Sequence, residues 1–217
     1  MKQSLKSQRS RELILAAGLR CFSQNGYKAT SMKDIARGAD ISIGRVYHHF
    51  DNKLQVFTEL LDNYWRRLED PELPLNQLIL KSNFPNDIPA LAEAIRDIVV
   101  SNRESIMLIY IDVIEFQGTH IQRFYHNMAA NFKNAFGDHF DRLRREGALH
   151  EDADPLFAVM MCFRFLFQYY LVETSFGVEN HFGIESEEVG GKVSQLLLHG
   201  LLDPSRKPHG VGEEPSC

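Results

Sequence analysis

The spacing of apolar residues constrains this chain more than any other feature. Almost everywhere they recur three or four positions apart, which is one face of a helix; strand-like alternation bounded by turns does not occur. Stripes of this kind are buried by packing helix against helix, so the expected fold class is all-α. Helices are predicted over about 7–24, 31–39, 42–48, 51–69, 87–101, 103–116, 119–146, 155–176 and 186–202. The 217 residues suffice for one compact domain and a smaller second one.

The punctuation between helices is specific near the N-terminus. Leu13, Ile14, Ala17, Cys21 and Phe22 form the stripe of the first helix, and Gly26 suits the left-handed residue beyond a helix end. Ser31 can cap the second helix, with Asp34 completing a variant capping box. Met32, Ile35, Ala36 and Ala39 form its buried face; Asp40 and Ile41 turn the chain, and Ser42 caps a short third helix. A fourth helix carries Leu54, Phe57, Leu60, Leu61, Tyr64, Trp65 and Leu68 until "EDPELPLN" breaks it. The domain boundary is expected inside this fourth helix, with a head at 1–53, its helix-turn-helix at about 31–50, and a helical body at 54–203. The polar, proline-bearing stretch 204–217 is predicted to be a disordered tail.

Charge divides the chain in the same place. Residues 1–52 hold nine Lys/Arg and four Asp/Glu, a net of +5; the remainder holds 15 and 25, a net of −10. A basic head on an acidic body points to a polyanionic partner for the head. Cys21, Cys162 and Cys217 are scattered and form no CxxC pair, and the basic start is followed by no signal-like apolar run, so a cytoplasmic location is expected. The apolar helix at 155–176 has membrane-span length but holds Arg164 and Gln168 at its centre, which reads as a buried helix and no membrane partner. His48 and His49 diverge on a helix and are a poor ligand pair, and no HExxH, phosphate-cradling glycine loop or triad spacing occurs. No metal, cofactor or enzymatic activity is expected.

The stretch "DISIGRVYHHF", residues 40–50, concentrates the head's chemistry. Short helices around a tight turn in a basic segment fit a helix-turn-helix, whose second helix enters the major groove of DNA. Gly44 removes a side chain where that helix must come close. Arg45 offers a donor fork that matches the guanine edge. Tyr47, His48 and Lys53 can reach phosphate oxygens, while Val46 and Phe50 point into the small core. The residues assigned to the DNA-facing surface are Thr30, Ser31, Lys33, Ser42, Ile43, Gly44, Arg45, Tyr47, His48 and Lys53.

Over roughly residues 9–57 the chain resembles the DNA-binding domain of the TetR family of bacterial transcriptional regulators. The resemblance is carried by "ILAA", Phe22, "GY", "TS", "DIA", Ser42, Gly44, "YHHF" and Lys53-Leu54, in that order and spacing. It departs at Asp40, where members usually have glycine, and at Ile43 and Arg45, so no operator sequence is carried over. The resemblance implies an all-helical homodimer that binds double-stranded DNA at a palindrome. It also implies a variable body that binds a small, partly apolar ligand, with the dimer interface on helices at about 155–176 and 186–202. Gly190, Gly191 and Gly200 could allow close backbone approach there. The alternatives are a ligand-independent architectural DNA binder or a helical small-molecule carrier.

Eleven of the 15 phenylalanines lie between Phe116 and Phe182. Most belong to the core, but loosely tiled aromatic helices also build apolar pockets. Arg164, set among Phe163, Phe165 and Phe167, is expected to face inward, paired with Asp112 or Glu115 or turned to a cavity. The ligand-contact candidates are Tyr110, Asp112, Phe116, Arg164, Phe167, Gln168 and Leu171.

Overall fold

The structure, a computed structural model, describes residues 2–199, with the side chains of 2–5 and 123 excepted. The predicted tail from 204 onward lies outside the described residues, as does Gly200. Ten α-helices and no strand occur among them: α1 (Lys2–Ala29), α2 (Met32–Gly38), α3 (Ile43–His49), α4 (Lys53–Leu68), α5 (Pro74–Leu80), α6 (Ile88–Ser101), α7 (Arg103–Phe116), α8 (Gln122–Arg145), α9 (Pro155–Ser175) and α10 (Val189–His199).

The head wraps α1, α2, α3 and the first half of α4 around one core. Ile14, Ala17 and Phe22 of α1 meet Ile35 of α2, Val46 of α3, the capping Phe50 and Phe57 of α4, all at most 1% exposed. α1 is broken by Gly26, whose φ of 79° is a conformation that residues with a Cβ adopt only with strain. The body packs α6 against α9 and α10, and α8 against α9, around a second core that includes Leu91, Ile106, Phe136, Val159, Leu166 and Tyr169.

Two helices belong to both cores. In α4, Val56, Phe57, Leu60 and Leu61 bury into the head, while Tyr64 buries into the body. The apolar core therefore divides between Leu61 and Tyr64 rather than at residue 53. In α7, Leu108 buries into the head and Ile106 into the body, two residues away on the opposite side of the helix.

Three expectations are corrected. "EDPELPLN" ends α4 but also starts a helix absent from the sequence reading: Pro74 takes the first position of α5, where its missing N–H costs nothing, and Leu75, Leu78 and Ile79 pack on the body. Leu13 and Leu54, assigned to buried stripes, are 42% and 41% exposed, because those stripes are wider than the surface that covers them. In α9, the buried residues are Val159, Cys162, Leu166, Tyr169, Tyr170 and Leu171, whereas Arg164 and Gln168 are exposed. This helix is apolar all round, so its periodicity does not say which face turns inward. α9 is also the one described helix long and apolar enough to cross a membrane by length and composition, and here it packs against α6, α8 and α10.

Gly190 serves a contact within the chain. A Cβ there would lie 2.8 Å from the Ala92 Cβ and 3.0 Å from the Pro89 Cα, so it is the seat of α6 against α10. Gly191 has no atom within 4 Å of its would-be Cβ.

Candidate nucleic-acid interface

The helix-turn-helix is built as its residues require. The Ser31 hydroxyl accepts from the Asp34 amide at 3.2 Å, and the Asp34 carboxylate accepts from the Ser31 amide at 3.0 Å, so both ends of the capping box are made. The hydrogen bond from the Ser31 hydroxyl, then that from its amide, holds the Asp34 carboxyl below the ordinary carboxylate range. Asp40 takes the left-handed conformation at φ 53°, doing the work of a glycine. The turn closes with the Ile41 amide donating to the Ala36 carbonyl at 3.1 Å. Ser42 caps α3 by accepting from the Arg45 amide at 3.3 Å.

α3 has one buried residue, Val46; its C-cap Phe50 enters the same core. The rest of the helix faces outward: Ser42, Ile43, Gly44, Arg45, Tyr47 and His48 are exposed, and Ser31 and Lys33 join them from α2. This face carries no carboxylate from α3, and among the described residues neither Lys33 nor Arg45 is in an ion pair. His49 is held below the ordinary imidazole value first by burial, then by the charges of His48, Arg11 and Arg45. A Cβ on Gly44 would meet nothing within 4 Å. The protein itself thus gives no steric reason for a glycine in the first turn of this helix, where glycine weakens the helix.

Two assigned residues are structural. Thr30 is 2% exposed, and its hydroxyl donates to the carbonyls of Gly26 at 2.8 Å and Cys21 at 3.1 Å. Lys53 donates to the carbonyls of Tyr27, Thr30 and Lys28 at 2.7, 2.9 and 3.3 Å, with its ammonium 4.3 Å from the centre of the Tyr27 ring. In this arrangement the carbonyls at the end of the first helix hold the Lys53 ammonium at the turn.

The ligand candidates do not converge on one cavity. Asp112 is fully buried and holds the His120 ring at 2.5 Å and the amides of His120 and Ile121 at 3.1 Å each. Phe116 stacks on Phe57 and meets Tyr27 edge-on, at the head. Leu171 is core. Phe167 is half-buried against the body core, and Tyr110, also half-buried, meets the Phe176 ring edge-on. Arg164 pairs with neither Asp112 nor Glu115; it lies over the Tyr125 ring at 5.2 Å.

Sequence reasoning missed the residues that join head to body. Glu115 accepts from the amides of Tyr27 and Lys28 at 3.0 Å each. The Nε2 atom of His120 lies 3.4 Å from the Thr58 hydroxyl on α4. Within the head, Arg11 of α1 pairs with Glu59 of α4 and lies over the Phe50 ring at 4.5 Å. A pair of acidic residues one turn apart on the apolar second half of α7, Asp112 and Glu115, was the available signal.

A capped helix-turn-helix with an exposed basic and aromatic second helix, carried on a helical body, defines a helix-turn-helix protein of two helical domains. Residues 14–60 match the family described as bacterial regulatory proteins, tetR family, so the likeness to that family lies in the head. The chain is 31% identical over 123 residues to the HTH-type transcriptional regulator AcrR of Shigella flexneri, covering 54% of this chain and 55% of that protein. It is 42% identical over 60 residues to the HTH-type transcriptional repressor KstR2 of Mycobacterium tuberculosis, covering 28% and 29%. The chain thus spans about half the length, or less, of these curated relatives. Solved structures extend the likeness of fold over the body. The TetR family transcriptional regulator PfmR of Thermus thermophilus matches 88% of this chain and 96% of its own, with a TM-score of 0.60 at 19% identity. The regulator FadR of Bacillus subtilis, solved with stearoyl-CoA, matches 88% and 99%, with a TM-score of 0.60 at 14% identity.

Proposed function

We propose that this protein is a transcriptional repressor that binds a two-fold DNA site as a homodimer and releases it when a small, partly apolar ligand occupies the body. The observation that carries this reading is the α3 face, where an unpaired Arg45, exposed Tyr47 and His48, and a glycine with open space around it are presented together. Arg45 reads a base edge in the major groove. Tyr47, His48, Ser31 and Lys33 meet phosphates and fix the register. Gly44 admits the duplex close to the helix.

One seven-residue recognition helix reads too few base pairs alone, which favours a dimer. Support for its interface comes from α9, where Phe157, Met161, Arg164 and Gln168 recur at helical spacing and are all exposed, and from exposed Leu196 and Leu198 on α10. Arg164 and Gln168 are therefore read as contacts to the second copy, in place of the ligand contacts expected from sequence. An apolar ligand is suggested by the aromatic body and by the acyl-CoA found in the B. subtilis fold relative.

Selection of bound fragments from random duplex DNA tests the proposal. Recovery of an inverted repeat, bound with steep loss of affinity as salt rises, supports it; recovery of no common sequence, or binding indifferent to salt, refutes it. Loss of the complex on adding a long-chain acyl-CoA supports the ligand half, and an unaltered complex across fatty acids and acyl-CoAs leaves a ligand-independent DNA binder.

A further inference from the structure

We infer that Glu115 is a positioning residue for DNA binding, which fixes the angle between head and body and with it the spacing between the two heads of a dimer. The inference rests on the DNA-binding reading above and adds a determinant of which spacing of half-sites is accepted.

The geometry is local to one turn of chain. Glu115 is on the last turn of α7, a body helix, and its two carboxylate oxygens each take one of the successive amides of Tyr27 and Lys28, at 3.0 Å. Two charge-assisted bonds to rigid backbone fix both a distance and an orientation. Gly26 makes this possible: it has φ 79°, and a Cβ there would lie 3.2 Å from the Glu115 Oε1 atom. The carbonyls of the same turn are held from the other side by the Lys53 ammonium. Residues 27–30 therefore sit between an anion of the body and a cation of α4, and Ser31 follows at once as the cap of α2. Whatever fixes this turn fixes the helix-turn-helix. α7 is itself tied to α4 one turn earlier, through buried Asp112, the His120 ring and Thr58. The lever between body and recognition helix is thus short and has charged or hydrogen-bonded groups at each joint.

The residue's contribution is geometric. A single head on a single half-site gains nothing from a fixed angle to the body. Two heads on one duplex do, because the second binds at an effective concentration set by how well the dimer matches the half-site separation.

The test compares wild type with Glu115→Gln, which keeps the shape but can accept from only one of the two amides. Both are measured on the selected inverted repeat, on the same repeat with two base pairs inserted at its centre, and on a lone half-site, with thermal unfolding alongside. The expected result is an unchanged half-site affinity, a loss of roughly tenfold on the full repeat and a weaker preference for the native spacing over the lengthened one. An unchanged ratio between the two spacings overturns the inference, as does an equal loss on half-site and full site, which would make Glu115 a DNA-contact or stability residue. If Glu115→Gln does not fold, Glu115→Asp, which keeps the charge on a shorter arm, is measured by the same ratio. A wild type that selects no inverted repeat refutes the proposed function instead, so the two failures are distinguishable.

Discussion

Lys53→Met separates a structural lysine from a phosphate-binding one. The Lys53 ammonium donates to three carbonyls at 2.7, 2.9 and 3.3 Å and faces the Tyr27 ring at 4.3 Å. A hydrogen bond with one charged partner contributes about 1.5–3 kcal/mol net, and a cation over an aromatic ring about 0.5–1 kcal/mol where partly exposed. The three bonds share one charge, the longest is weak and the residue is only half-buried. The whole arrangement is therefore worth about 2–3 kcal/mol, well below the sum of its parts. Methionine keeps the stem and strands the carbonyls. The midpoint of thermal unfolding, followed by circular dichroism, should fall by roughly 5–10 °C for a protein of this size. At a temperature where both forms are folded, the slope of log affinity for DNA against log salt should be unchanged, since no phosphate contact is lost. A variant with wild-type stability and a salt slope smaller by about one per head would show that Lys53 leaves the turn for a phosphate, and the structural reading would be wrong.

Gly44→Ala should move stability and binding in opposite directions. The exposed helix gains up to about 1 kcal/mol in urea unfolding, while affinity for duplex DNA falls; a gain in both would remove the close-approach argument. Arg45→Ala should relax base preference at one position per half-site at a cost of roughly 1–3 kcal/mol, visible as a blurred position in the selected sequence motif. Ser31→Ala should cost about 1 kcal/mol of stability through the lost cap, measured in the same urea titration. Gly190→Val should cost roughly 1–3 kcal/mol by overpacking, because its Cβ meets the Ala92 side chain and the Pro89 backbone rather than a flexible tip; an unchanged unfolding midpoint would show that α10 can move off α6.

The head was legible in sequence because its signals are local. A serine cap followed three residues on by aspartate, an aspartate able to take φ 53°, and apolar residues at helical spacing each determine structure within a few residues. The body was legible as helices but not as faces. α9 is apolar on every side, and which of its stripes is buried depends on α6, α8 and α10, whose placement no local rule fixes. The same limit explains Arg164, whose aromatic neighbours in sequence suggested burial although it is exposed beside Tyr125. Lys53 and Thr30 were misplaced for a related reason. Their partners are carbonyls at the end of the first helix, 23 to 26 residues earlier for the lysine, and backbone acceptors leave no mark in a sequence.

α7 is a helix of the body that completes the core of the head. Leu108 is fully buried among Ile14, Phe22 and Phe57, and Ile111 and Phe116 pack on the same group. Cut after α4, the head would carry an open apolar socket where Leu108 belongs and two unclaimed amides where Glu115 belongs. It cannot be treated as a cassette to be moved between bodies at a seam in the sequence. A functional chimaera has to carry α7 with the head, or rebuild its inward face on the recipient, because the part that recognises DNA is assembled from two stretches of chain, one ending with α4 at Leu68 and the other beginning with α7 at Arg103.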